Sequence, residues 1–144
     1  ALYFDKIICD VPCSGSGTWR RTPEQFYFFT PDKLEEFHHR QVKILCNVLS
    51  CLKQDGELYY ITCSVFRREN EDVLTEVAKE LNIEIASQHY CNAMEVGGDQ
   101  LFFAVVKSMR AILFSSACWR ACSNNIFPIP DLRALGATNK SDNV

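Results

Sequence analysis

Two short apolar runs in this chain each stop at a small polar cluster, and a long amphipathic stretch lies between them. That order constrains the fold more than any other feature. Phe4-Asp5-Lys6-Ile7-Ile8-Cys9 is the first run and reads as a buried strand. It breaks at Asp10-Val11-Pro12-Cys13-Ser14-Gly15-Ser16-Gly17, a segment of turn residues. The second run, Glu57-Leu58-Tyr59-Tyr60-Ile61, ends at Thr62-Cys63-Ser64. Between them, Thr30-Pro31 supplies a hydroxyl cap and a proline at the first helical position. Leu34, Phe37, Gln41, Ile44, Leu45, Val48, Leu49 and Leu52 then recur at three and four, one apolar stripe with a single polar interruption. This helix is expected to stop near Gln54-Asp55-Gly56, with Gly56 free to take a positive φ. A strand, a crossover helix and a second strand form the unit of parallel sheets. Loops at the carboxyl ends of such strands are where open α/β sheets place their ligands.

Residues 18–29 mix Trp19, Arg20, Arg21 and Pro23 with the aromatic run Phe26-Tyr27-Phe28-Phe29, and no regular structure is assigned there. Val73, Leu74, Val77 and Leu81 predict a second helix within 70–82. Glu69, Glu71 and Asp72 stand near its N-terminus, where the helix dipole favours acids. Ile83-Glu84-Ile85-Ala86 alternates as a strand, and Leu101-Phe102-Phe103-Ala104-Val105-Val106 is another, after the turn Gly97-Gly98-Asp99. The order β-α-β-α-β-β predicts an α/β sheet whose last two strands, with no helix between them, pair antiparallel. From Ser108 onward no period is sustained. The chain therefore divides into a sheet-bearing segment, 1–107, and an irregular, unassigned C-terminal extension, 108–144.

A hydrophobic fraction of 47% is too high for a disordered chain. The net charge of -3 excludes a basic protein that coats nucleic acid without selectivity, so any such contact must be a local patch. No apolar run reaches the ~18 residues of a membrane span. Ala1-Leu2-Tyr3-Phe4-Asp5-Lys6 has no secretory pattern, and a strand-like run starting so early reads as a piece of a longer protein. Eight cysteines are present, with three histidines and no C-x-x-C pair, so zinc spacing is absent and no metal is expected. Cys9, Cys46 and Cys51 fall in apolar periodic segments, where a free thiol behaves as a small hydrophobe. That pattern points to a reducing, cytoplasmic compartment.

Cys13 and Cys63 differ from the other six. Each follows directly on a predicted strand, in loops that share one edge of the sheet, and Asp10 sits on the same turn as Cys13. A phosphatase loop does not fit: Cys13 and Arg20 are one residue too far apart, and the matching position after Cys63 is Glu69. A papain-type pair needs a histidine, and His38, His39 and His89 lie on a surface-like helical segment or near a strand end. A redox pair remains open, without the C-x-x-C hallmark. So does a chemistry that uses two thiols and a carboxylate. C5 of cytosine is a poor nucleophile until a thiolate adds to C6 and makes it enamine-like. C5 then attacks an electrophilic methyl group, its proton leaves, and the thiol is expelled. That scheme needs a covalent nucleophile, a group at the base edge and a proton acceptor. Cys63, Cys13 and Asp10 are candidates of the right types.

These same residues carry a family resemblance. The segment from Phe4 to Gly17 resembles the D-x-P-C-S-G motif of the RsmB/Sun family of RNA 5-methylcytosine methyltransferases. Leu58-Tyr59-Tyr60-Ile61-Thr62-Cys63-Ser64-Val65, followed by Glu69-Asn70-Glu71, is similar to its T-C-S strand end and E-N-E. Lys53-Gln54-Asp55-Gly56 stands where the family has a K-P-G-G-like turn, and Gly98-Asp99-Gln100-Leu101-Phe102-Phe103-Ala104 resembles its closing D-G-F-F-A strand. Arg20-Arg21-Thr22-Pro23-Glu24 fits its bacterial members. The resemblance covers residues 4–107. It implies the C-terminal half of a Rossmann-like class I methyltransferase sheet, with transfer from S-adenosylmethionine to C5 of a cytosine in RNA, ribosomal RNA above all. It implies Cys63 as the nucleophile, Cys13 as the thiol that assists release of the methylated base, and Asp10 beside cofactor and base. Arg20, Arg21, Arg67 and Arg68 are candidate phosphate contacts, with a solvated charged face as their other reading. The family's Gly-rich cofactor loop lies upstream of these motifs, and no G-x-G-x-x-G occurs here. Alone, the segment is expected to have weak activity or none. An inactive RNA-binding remnant and a thiol redox protein using Cys13 and Cys63 are the alternatives.

Overall fold

Leu58, Tyr60 and Thr62 alternate along one strand, and all three are fully buried. They mark the covered face of a four-stranded sheet in a computed structural model that describes residues 4–93 and 97–109. The strands are β1 (Phe4–Asp10), β2 (Leu52–Thr62), β3 (Ile83–Asn92) and β4 (Gln100–Ser108), in spatial order β1-β2-β4-β3. β1 and β2 run parallel, while β4 is antiparallel to both β2 and β3. The helices are α1 (Glu24–Tyr27), α2 (Pro31–Leu49) and α3 (Glu71–Glu80). Apart from the additional single turn α1 ahead of α2, the order β-α-β-α-β-β stands as expected, and so does the antiparallel final pair.

The Thr30 hydroxyl caps α2 by accepting from the Lys33 amide at 3.4 Å, with Pro31 at the start of the helix. Leu45 and Leu49 of α2 and Val73, Leu74 and Val77 of α3 form one cluster with Cys9, Leu58, Tyr60, Phe102, Ala104 and Val106 of the strands. Each leucine, valine and phenylalanine of the cluster contributes about 1.5–3 kcal/mol on leaving water.

Several boundaries differ from expectation. α2 ends at Leu49, where the Ser50 hydroxyl donates to the Asn47 carbonyl at 2.5 Å, and β2 begins at Leu52 rather than at Glu57. Leu52 satisfies the helical spacing and also alternates in phase with the strand, so periodicity alone assigns it twice. The residue with positive φ in the turn is Asp55, at 61°, and not Gly56. β3 extends past Ala86 to Asn92 along the edge of the sheet, held by pairing with β4. Residues 18–29, to which the sequence assigns no regular structure, contain the single-turn helix α1, and a 3-10 turn over Ser16–Thr18 leads into them. The first strand was expected to be buried, yet Ile8 is 74% exposed and only Cys9 of the run is buried. β1 is an edge strand here, and no described helix covers the face that carries Ile8, Tyr59 and Val105. Apart from Ser108 and Met109, the extension 108–144 lies outside the described residues.

Candidate active site

The two polar clusters that interrupt β1 and β2 meet at one end of the parallel pair. Asp10 pairs in register with Ile61, and the Val11 amide donates to the Ile61 carbonyl at 3.1 Å, so the loops leave the sheet side by side. Gly15 turns the first loop at φ 70°, in the left-handed region that favours glycine. Gly17 brings that loop against the second. Its amide donates to the Cys63 carbonyl at 2.8 Å, and a Cβ there would sit 2.2 Å from the Gln100 carbonyl oxygen. The result is a direct contact between sulfurs: Cys13 Sγ and Cys63 Sγ are 3.2 Å apart, and both residues are half-buried.

That contact divides the two thiols electrostatically. The hydrogen bond from Cys13 brings Cys63 down to about 7, against burial and the Asp10 and Glu69 charges. The same bond, with burial, pushes Cys13 up. As the pH rises through about 7, Cys63 becomes the thiolate while Cys13 stays a thiol, and a thiolate is the nucleophilic form. Asp10 is exposed at the end of β1, close enough for its charge to act on Cys63.

The remaining cysteines do not join the pair. Cys9 and Cys46 are buried in the core, where burial raises the Cys9 thiol to about 11. Cys51 is half-buried and Cys91 is exposed on β3, so neither is a core packing residue, while Cys118 and Cys122 lie outside the described residues. His38 is not on the surface as expected. It is fully buried and hydrogen-bonds the Arg68 carbonyl at 2.7 Å and Glu76 at 2.8 Å. Among the described residues no group of three metal-ligating side chains occurs, and no helix is long and apolar enough to cross a membrane.

Of the candidate phosphate contacts Arg20, Arg21, Arg67 and Arg68, the last three are held by carboxylates. Arg21 makes a two-pronged contact with Asp99 at 2.8 and 2.6 Å, and Arg68 does the same with Glu35 at 2.8 and 2.7 Å. Arg67 reaches Asp72 at 3.0 Å. Their guanidinium groups hold Asp99 and Glu35 below the usual carboxylate range. Arg20 is exposed, and no described carboxylate pairs with it.

The residue that sequence reasoning passed over is Glu69. It is fully buried beneath both loops, and its carboxylate accepts from the Ser14 amide at 2.7 Å, the Ser14 hydroxyl at 2.6 Å, the Ser64 hydroxyl and the Gln41 side-chain amide at 3.3 Å. Gln41, the polar interruption of the helical stripe, is likewise buried and donates to the Pro12 carbonyl at 3.0 Å. The next residue, Asn70, accepts from the Thr62 hydroxyl at 2.6 Å and donates to the Ser64 carbonyl at 2.9 Å. The only sequence signal for these roles was a glutamine inside an apolar stripe and the E-N-E that follows T-C-S.

Two cavities among the described residues lie near these elements. One of about 270 Å³ borders Cys13, Phe28, Phe29, Lys33, Phe37 and Arg40. The other, about 420 Å³, lies along β1 and α2 between Phe4, Ile7, Ile8, Val48 and Cys51. Neither includes Asp10.

The sheet superposes on a methyltransferase homologue from Pyrococcus horikoshii with a TM-score of 0.63 and 24% identity, over 74% of this chain and 40% of that one. It also superposes on NSun6 of Pyrococcus horikoshii, solved with SFG, with a TM-score of 0.62 and 21% identity, over 76% and 31%. The fold is thus a partial Rossmann-like methyltransferase sheet. Residues 1–111 match the family of 16S rRNA methyltransferases RsmB/F, and the chain belongs to that family. It is 29% identical over 106 residues to the ribosomal RNA small subunit methyltransferase B of Proteus mirabilis, covering 73% of this chain and 25% of that protein. It is 40% identical over 79 residues to the tRNA (cytosine(34)-C(5))-methyltransferase of Drosophila melanogaster, covering 55% and 11%. The chain therefore spans a quarter or less of these relatives.

Proposed function

We propose that this chain is the cysteine-bearing half of a catalytic domain that methylates C5 of a cytosine in RNA. The contact between Cys13 and Cys63 at 3.2 Å carries the reading. The Cys63 thiolate adds to C6 of the cytosine, which forms the S–C6 bond and moves an electron pair to C5. S-adenosylmethionine would supply the electrophilic methyl group that C5 takes, the sulfonium S–CH3 bond breaking with its electron pair left on S-adenosylhomocysteine. The C5 proton then leaves to a base at the site, the S–C6 bond breaks, and aromaticity and the thiolate return. Cys13 keeps its proton while Cys63 is a thiolate. It loses its acceptor once Cys63 is bonded to carbon, which frees it to assist release.

For the methyl donor, this chain offers one candidate contact, the exposed carboxylate of Asp10. No described cavity contains it, and the described residues hold no glycine-rich cradle, so the chemistry belongs to the longer protein and this segment alone is expected to be weak or inactive. The family description favours ribosomal RNA. Arg20 is the best placed of the four candidate arginines for a phosphate, because the other three are occupied by carboxylates. The reading requires a reducing, cytoplasmic compartment in which both sulfurs stay thiols.

The test uses the full-length protein, S-adenosylmethionine and ribosomal or transfer RNA carrying 5-fluorocytosine. Fluorine at C5 blocks the loss that would release the enzyme, so a denaturation-stable adduct on Cys63 is expected, lost in Cys63→Ala. An undiminished adduct in Cys63→Ala, or none with the wild-type protein on either RNA, overturns the proposal. The same sulfur contact favours a second reading, a redox pair. A Cys13–Cys63 linked peptide in high yield under mild oxidation, with no RNA adduct, would carry that reading instead.

A further inference from the structure

Glu69 is a buried carboxylate with no basic partner among its hydrogen bonds, and it closes the same β2–α3 connection that carries Cys63. Its two oxygens divide their work. Oε1 accepts from the Ser14 amide and the Gln41 side chain, and Oε2 accepts from the Ser14 and Ser64 hydroxyls. Ser14 follows Cys13 directly, and Ser64 follows Cys63. One acid therefore grips the residue next to each sulfur.

The hydroxyls it grips are themselves fixed. Ser14 Oγ accepts from the Ser16 amide at 3.3 Å, and Ser64 Oγ accepts from the Phe66 amide at 3.1 Å. With their acceptor sides engaged, both serines direct their protons to Glu69. A neutral acceptor would draw them less strongly, since hydrogen bonds to an ionised carboxylate are roughly twice as strong as neutral ones. From below, the Tyr60 hydroxyl donates to the Glu69 carbonyl at 2.7 Å, which anchors the acid to β2.

We infer that Glu69 is the positioning residue of the cysteine pair: its carboxylate clamps Ser14 to Ser64 and thereby holds Cys13 Sγ against Cys63 Sγ. The acid bonds neither sulfur and positions them through the two serines. Its part in methyl transfer rests on the function proposed above, whereas its part in holding the sulfurs together does not.

The separation of the sulfurs can be read in the full-length protein from the equilibrium of the Cys13–Cys63 disulfide with glutathione. Two protein thiols give up two protons and two electrons, and one oxidised glutathione takes both to become two reduced molecules. The equilibrium constant reports how closely the thiols are presented to one another. We expect it to fall about tenfold or more in Glu69→Ala, because proximity is lost. Glu69→Asp keeps the charge and shortens the arm by one methylene, and it is expected to lower the constant as well. Glu57→Ala, which removes an acid bonded to Lys6 well down β2 from the thiol loops, is expected to stay within about twofold of wild type, as a distant site should. Thermal unfolding establishes that each variant is folded, and where Glu69→Ala is not, Glu69→Asp decides. Wild-type constants in folded Glu69 variants overturn the clamp. Unchanged constants with the Cys63–RNA adduct intact remove the clamp and leave the methyl-transfer proposal standing. A lowered constant with no adduct on the wild-type protein does the reverse.

Discussion

Leu58 and Ser64 lie close together on the chain and are equally sealed from water, yet they belong to regions built on opposite principles. Leu58 sits on the helix-covered face, where Leu45, Leu49, Val73 and Val77 meet the strands through hydrocarbon alone. Ser64 sits in the cluster at the strand ends, where Ser16, Thr62, Glu69 and Asn70 are all buried and all hydrogen-bonded. Hydrocarbon burial is favourable and non-directional, so it stabilises the sheet without fixing any one atom closely. Buried polar groups contribute little net stability, but they cost heavily when a partner is missing. They therefore select one geometry. The apolar face supplies the free energy of the fold, and the polar end specifies where two sulfurs stand.

The largest effect that would break this division comes from the apolar side. Leu58→Ala leaves a cavity in the core and is expected to destabilise the protein by about 2–5 kcal/mol in chemical denaturation. The pH at which Cys63 is half-alkylated by iodoacetamide should stay where it is in the folded variant. A shifted midpoint would mean that core packing, and not the polar loops, sets the thiol.

Next in size is a change confined to the polar end. Cys13→Ala removes the hydrogen bond that lowers Cys63, so its value should rise from about 7 toward the ordinary 9.0. The thiolate is the form present above the pKa, so alkylation that develops around pH 7 in the wild type should develop nearer pH 9 in the variant. At pH 7 the thiolate fraction would fall from about half to as little as about one hundredth. Alkylation rates against pH check this, and a midpoint that does not rise would break the account of the pair. Stability should change little by comparison.

The apolar region was largely legible in the sequence and the polar region only partly. Periodicity is local, so the helix beginning at Pro31 and the strands through Ile7, Tyr59 and Phe103 could be read from neighbours a few residues away. Its errors came where one residue suits two periods, as Leu52 does, or where cover is missing, as beside Ile8. The thiol loops were legible because each follows a strand. The clamp was not, because Ser14 and Glu69 are joined only through the fold. In Arg67-Arg68-Glu69-Asn70-Glu71-Asp72, three acids stand together, and nothing in that order says which is buried. His38, sealed behind Glu76 and the Arg68 carbonyl, was expected on a surface-like segment for the same reason. The aromatic run at 26–28 is exposed, with Tyr27 at 85%, and the arginines around it were legible as charge but not as ion pairs.

The smallest expected effect falls on the boundary between the two regions. Tyr60 has its ring in the apolar core, edge-on to Phe102 with 6.3 Å between ring centroids, and its hydroxyl on the Glu69 carbonyl. Tyr60→Phe keeps the ring and deletes only the bond to the polar side, leaving that carbonyl without its donor. A loss of about 1–2 kcal/mol is expected in denaturation. The Glu69 carboxylate keeps all four of its donors in this variant, so the Cys63 alkylation midpoint should hold. Stability lost with the midpoint unmoved would put the functional boundary between the main chain of Glu69 and its side chain. A midpoint that moved with it would mean that core and clamp are one cooperative unit, and that the division drawn between Leu58 and Ser64 describes chemistry without describing energetics.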